Sequence, residues 1–219
     1  MSKEKNKGQF PDGKYIKRCF DFTEARVNDE GNLVEGHAAV YDQKVSIGDW
    51  FYETIQKGAF DKTDLSDVAL FLNHKWDDLP LARSRKSIPN STMKVGPDDK
   101  GLFMSAGLDV ENNANARALV SAIKRQDVTG MSFAFIVGDE EWKDLDTKMP
   151  TRIIKSISKV IEVSAVTHPA YDATDIGARS NSLESDRIAL ERARSVNINS
   201  TSREVEALRL KIKIKGEMK

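Results

Sequence analysis

Three residues have the types that a serine nucleophile, its base and an orienting acid require: Ser132 in "DVTGMSFAF", His74 at the end of "DVALFLNH" and Glu162 in "KVIEVSAV". A serine hydroxyl is a poor nucleophile until a base takes its proton. Imidazole, with an ordinary pKa of about 6.5, is suited to that work. His74 continues the parity of Val68, Leu70 and Leu72 and precedes the polar "KWDD", so it sits where a core meets solvent. Glu162 shares strand parity with Val160, Ser164 and Val166. A carboxylate on such a face is costly unless paired, and it has the chemistry to orient an imidazole, as the acid of a triad does. Each residue also has a plain structural reading. Ser132 fits as a small residue in a tight strand, His74 as a hydrogen-bonded strand end, and Glu162 as a carboxylate facing solvent or a lysine. The residue types alone leave both readings open. His37 in "VEGHAAVY" reads as a strand residue without evident role, and His168 in "VTHPAY" as a turn residue before Pro169.

Composition narrows the classes. The 219 residues, 39% of them hydrophobic, suffice for one good core with an appendage. Lys+Arg and Asp+Glu balance at 34 each, so charge gives no argument for nucleic acid or a membrane as direct partner. Cys19 is the single cysteine, which excludes an internal disulfide and fits a reducing compartment. Three histidines and the lack of CxxC, HExxH, P-loop and GxGxxG patterns argue against a metal or nucleotide cofactor. There is no GxSxG, against an α/β-hydrolase. The polar start and the lack of a long apolar run predict a soluble intracellular protein.

The elements that must position these residues are mostly strands. Runs at about 15–22 and 33–41 flank "NDEGN" and predict a hairpin. "ETIQKGAFDKTDL" reads as a short helical region interrupted by glycine. "DVALFLNH" is apolar at both parities, as in a strand buried on both faces. "STMKVGPDDKGLFMSAGL" reads as strand, turn, strand. "ENNANARALVSAIKRQD" is the clearest helix, capped by Asn112 or Asn113, with Ala116, Leu119, Val120 and Ile123 on one face. "GMSFAFIVGDEEW" and "TRIIKSISKVIEVSAVTH" are two further strands. The pattern predicts a mainly β fold with helices (α+β), a small β-barrel with packed helices. We divide the chain into a flexible arm at 1–14, a barrel domain at 15–179 and a charged tail at 180–219, flexible or helical, whose apolar stripes are thin.

"VEGHAAVYDQ", "YETIQKGAFDKTDL", "VALFLNHKWDDLPLARS", "KGLFMSAGL", "TGMSFAF" and "IEVSAVTHPAYDAT", in this order over roughly residues 33–176, resemble the prohead (procapsid maturation) serine proteases of tailed bacteriophages. Each segment is short, and the ordered set carries the specificity. The resemblance implies that His74 is the catalytic base and Ser132 the nucleophile. It also implies a fold similar to herpesvirus assembly proteases, a closed β-barrel ringed by a few helices; the third catalytic member of those enzymes is a second histidine. Here the last strand offers Glu162 for that role, with His168 as its competitor. Backbone N–H groups near Ser132 or around "PLARS", with Arg83, are the candidate oxyanion donors. The implied activity is endopeptidase cleavage of scaffold protein, or of the scaffolding segment of the major capsid protein, and of the enzyme itself. It would take place inside the procapsid in the host cytoplasm, without cofactor or metal. The herpesvirus enzymes, which act as dimers, extend the expectation to a homo-oligomer. The rival readings are a non-enzymatic barrel-type phage structural or scaffold protein, with Ser132 as packing, and a protease fused to a shortened scaffold module.

Overall fold

Alternating burial along Leu33–Val40 marks a strand with one face in a core and one toward solvent. The structure, a computed structural model, describes residues 15–21, 26–167 and 184–198. In chain order the strands are β1 (Ile16–Asp21), β2 (Arg26–Val27), β3 (Leu33–Val40), β4 (Val45–Ile47), β5 (Phe51–Ile55), β6 (Asp67–Leu72), β7 (Ala82–Arg85), β8 (Met93–Pro97), β9 (Gly101–Gly107), β10 (Gly130–Lys143) and β11 (Thr151–Val166). Helix α1 (Ala114–Lys124) precedes β10, and α2 covers 184–198.

The strands form two open sheets. The larger runs β1-β10-β11-β5-β4, with β6 also pairing β11 and β7 pairing β6; the smaller runs β2-β3-β9-β8. β11 organises the larger sheet. Its first part runs parallel to β5 and its last part parallel to β6, while its other edge pairs antiparallel with β10. The expected closed ring is replaced by two sheets meeting through side chains. Phe133, Phe135, Leu70 and Val163 from the larger sheet join Val34, Leu102 and Met104 from the smaller, together with Leu119 and Ile123 of α1, in one hydrophobic core.

Local chemistry accounts for most elements. Asn113 caps α1 by accepting from the backbone N–H groups of Asn115 (2.9 Å) and Ala116 (3.3 Å). The turn between β8 and β9 is held by Asp98, whose carboxylate accepts from the N–H groups of Lys100 (2.8 Å) and Gly101 (3.0 Å). A Cβ at Gly101 would lie 2.0 Å from the Ala39 carbonyl oxygen, so only glycine lets β9 approach β3 there.

Two expectations are corrected. The "NDEGN" turn joins β3 to the short β2, while β1 pairs with β10 across the larger sheet. The stretch after β5 is a series of turns, not a helix: Gly58 takes φ +89°, and Asp64 bridges to Lys159 of β11. Glycine's access to positive φ favours turns over helix at that point.

α2 lies in the interval read as a tail, and it docks through charge. Asp186 is 1% exposed, and its carboxylate accepts from Arg18 (2.9 Å) and Arg152 (3.1 Å). Glu53 accepts from the same two guanidiniums, from Arg18 at 2.5 and 2.8 Å and from Arg152 at 3.2 Å. Burial alone would raise the Glu53 pKa, but the two guanidiniums outweigh it and hold the carboxyl below its ordinary range. Removing one member of such a buried set leaves uncompensated charge, at a cost of roughly 3 kcal/mol. Asp186→Ala should therefore lower stability in urea by about that amount, measured by circular dichroism on the full chain. An unchanged midpoint would show that α2 is not held by this network.

Candidate active site

The larger sheet has two unlike faces. Val68, Leu70, Phe133 and Val163 point into the hydrophobic core. The opposite face carries polar groups in register: Cys19 on β1 pairs with Ser132 on β10, Ser132 with Ser164 on β11, and Ala134 with Glu162. The β6 partners of Glu162 and Ser164 are Ala69 and Phe71. Ser132, Glu162 and Ser164 are all fully buried. Parity alone groups Glu162 with Val160, but the register breaks between them. Ala134 faces Glu162 while Phe135 faces Val160, so β11 carries an extra residue. Such a bulge re-aims side chains. It sends Val160 into the core and leaves Glu162 on the polar face.

His74 reaches that face by a backbone device. β6 ends at Leu72, and the next two residues are left-handed, Asn73 at φ 48° and His74 at φ 57°. Left-handed conformation costs a non-glycine residue on the order of 1 kcal/mol, and asparagine tolerates it best. The turn therefore needs external support. The Asn73 N–H donates to the Ala165 carbonyl (2.9 Å), the Thr167 N–H donates to Asn73 Oδ1 (3.1 Å), and the His74 N–H donates to Ser164 Oγ (3.2 Å). The parity that places His74 with Val68 and Leu70 ends at Leu72. The left-handed pair swings the imidazole to the other side, over Ser132.

One continuous line of hydrogen bonds results. His74 Nδ1 lies 2.5 Å from Glu162 Oε1, and His74 Nε2 lies 2.7 Å from Ser132 Oγ. A carboxylate only accepts, so Nδ1 carries the proton. In the neutral ring Nε2 is then bare and accepts from the Ser132 hydroxyl. Ser164 Oγ donates to the other carboxylate oxygen, Oε2, at 2.6 Å. The buried carboxylate thus has both oxygens satisfied, as burial demands. The imidazole pKa is raised above its ordinary value: burial disfavours the imidazolium, but hydrogen bonds to Cys19 and Glu162 outweigh burial. Lys17 lies on the same side of β1 as Cys19. Burial lowers its pKa, partly offset by the Glu162 charge, and its ammonium sits 4.8 Å from the Trp76 ring centroid. Trp76 packs against Tyr15 with ring centroids 4.9 Å apart. Chemically, the arrangement can draw a proton from Ser132 Oγ onto Nε2 while the resulting imidazolium faces an anion.

The structure thus brings Ser132, His74 and Glu162 together. His168 lies outside the described residues. His37 is on the smaller sheet, 2.8 Å from Asp98 and edge-on to Phe103. With Arg26, Glu35 and Lys100 it lines a surface depression of about 460 Å³ that includes none of the residues around Ser132. Hydrogen-bond geometry, not cavity size, marks the site. Arg83 on β7 is three strands from Ser132 in the sheet order, and its guanidinium is held by Asp67 at 2.6 and 2.8 Å. Cys19 and Ser164 escaped the sequence reading of the site. The spacing of Glu162 and Ser164, two apart in one strand, was the available signal for Ser164. No local signal pairs Cys19 with Ser132, because β1 and β10 are distant in sequence.

No described helix is long and apolar enough to cross a membrane. Comparison with curated proteins gave no match, and comparison with solved structures gave none. A family model described as caudovirus prohead serine protease matches residues 20–187, which include β10, β11 and the His74 turn. With that match over most of its length, the chain belongs to the caudovirus prohead serine protease family and is a serine peptidase of bacteriophage capsid maturation.

Proposed function

We propose that Ser132, His74 and Glu162 are the catalytic triad of this peptidase, as nucleophile, general base and orienting acid. The unbroken line from Ser132 Oγ through the imidazole to a buried carboxylate is the observation that carries the reading. A serine used only for packing needs no base beside it, and an imidazole with no task needs no buried anion.

In the first step Ser132 Oγ attacks the carbonyl carbon of the scissile peptide while its proton passes to His74 Nε2. The imidazolium is stabilised by Glu162 and then protonates the leaving amine. The acyl-enzyme is hydrolysed by a water that gives its proton to the same nitrogen. Ser132 is fully buried, so a bound peptide must displace neighbouring side chains to bring its carbonyl to Oγ. Family membership points to procapsid components as substrates. We assign the scaffold protein, or the scaffolding segment of the major capsid protein, cleaved inside the procapsid in the host cytoplasm, and the chain itself. Enclosure raises the effective concentration of enzyme and substrate together.

Co-expression with the scaffold and capsid proteins tests the assignment. Ser132→Ala and His74→Ala should each abolish cleavage, with the double variant no worse than either, because these groups act as a unit. Mass spectrometry of the products reads the outcome, and full cleavage by Ser132→Ala would refute the nucleophile.

Glu162 is tested by pH. The base form of His74 is the neutral ring, so activity rises with pH through an imidazole pKa above about 6.5. Glu162→Gln removes an anion that favours the imidazolium. It should lower the plateau by about 10²–10⁴-fold and move the acidic limb to lower pH. A wild-type plateau with an unmoved limb would exclude Glu162 as the acid.

A further inference from the structure

Ser164 has no place in the three-residue chemistry, yet it touches two of its members. Its hydroxyl donates to Glu162 Oε2 at 2.6 Å, and the same oxygen accepts from the His74 backbone N–H at 3.2 Å. It is fully buried, and it pairs across the sheet with Ser132 on one side and Phe71 on the other. We propose that Ser164 is a positioning residue for the peptidase, a hydroxyl latch that fixes the Glu162 carboxylate and the left-handed His74 backbone relative to each other. The inference rests on the triad reading above.

The physical argument has two parts. First, a glutamate side chain has three rotatable bonds, and one hydrogen bond to the imidazole does not fix the carboxylate plane. A second bond at Oε2 does, and it aims Oε1 at His74 Nδ1. Second, a left-handed histidine persists only where the surroundings over-determine it. The His74 N–H belongs to that left-handed backbone, and it would be orphaned if Ser164 lost its oxygen. One hydroxyl meets both needs because it is at once donor and acceptor. The hydrogen bonds of Ser164 go to Glu162 and to the His74 backbone, and it exchanges no proton with substrate. Its effect reaches Ser132 only through Glu162 and His74.

The natural substrate sequence is not needed for the test. A fluorophosphonate reports the activated hydroxyl directly: Ser132 Oγ attacks phosphorus, the P–O bond forms, fluoride leaves and His74 takes the proton. Inactivation of the full chain should be followed against reagent concentration, to separate the maximal rate from reagent affinity. The forms to compare are wild type, Ser164→Ala, Glu162→Gln and the double variant, each with its thermal midpoint recorded. Ser164→Ala should lower the maximal rate tenfold or more and leave reagent affinity within about twofold. The double variant should be slowed by less than the product of the two single effects, because one arm of the latch acts through the carboxylate that Glu162→Gln has already replaced. A Ser164→Ala protein with the wild-type maximal rate overturns the inference, as does a double variant slowed by the product of the two single effects. If Glu162→Gln itself reacts like wild type, the triad reading fails instead. Ser164→Thr, which keeps the hydroxyl, should react within about threefold of wild type if its midpoint is unchanged. A folded Ser164→Thr protein as slow as Ser164→Ala also counts against the latch.

Discussion

The site is organised around one carboxylate that has no access to water. Glu162 is fully buried in the middle of the larger sheet, where an unpaired anion would be prohibitively costly. The surrounding geometry meets that demand. The bulge in β11 turns Glu162 away from the hydrophobic core, the left-handed turn after β6 delivers an imidazole N–H to one oxygen, and Ser164 delivers a hydroxyl to the other. Once the imidazole is fixed by its Nδ1, its Nε2 has a defined direction, and Ser132 stands 2.7 Å along it. Under the proposed triad, the requirement that stabilises the fold and the requirement that activates a nucleophile are met by the same hydrogen bonds.

The two faces of the larger sheet divide the work. One face is apolar and carries the core shared with the smaller sheet and α1. The other carries Ser132 and Glu162, on strands that are hydrogen-bonded on both sides. Sites built on strands are better fixed than sites on loops, and here only His74 comes from a turn. That turn is tied back to β11 by two hydrogen bonds and to Thr167, just beyond the strand, through Asn73 Oδ1. At the edge of the sheet, β1 brings Cys19 and Lys17 alongside the site, and its Arg18 joins the charge network that holds α2. The tail segment and the site thus share one strand.

Much of this was legible in the residues. The 3.6-residue periodicity of α1, the Gly-Pro-Asp-Asp turn between β8 and β9 and the long apolar runs of β10 and β11 are local signals, and the structure places those elements where the signals stand. The residue types made Ser132, His74 and Glu162 candidates, and the resemblance to the phage family singled out Ser132 and His74 among them. The features that were not legible are those set by distant contacts. Pairing of β1 with β10 joins residues more than a hundred positions apart. The bulge between Val160 and Glu162 leaves no mark in a string of apolar residues, so parity misassigned Val160. The left-handed pair at Asn73 and His74 is permitted by asparagine but imposed by β11. Docking of Asp186 depends on two arginines in β1 and β11, which thin apolar stripes in α2 do not reveal.

The central claim is that burial of Glu162 activates Ser132 through His74. It is tested most directly by locating the adduct of a fluorophosphonate by mass spectrometry of the digested protein. The account predicts a single adduct on the peptide containing Ser132 in the wild-type chain and none there in His74→Ala. An unlabelled Ser132 in a folded wild-type protein, or equal labelling when His74 is absent, would contradict it.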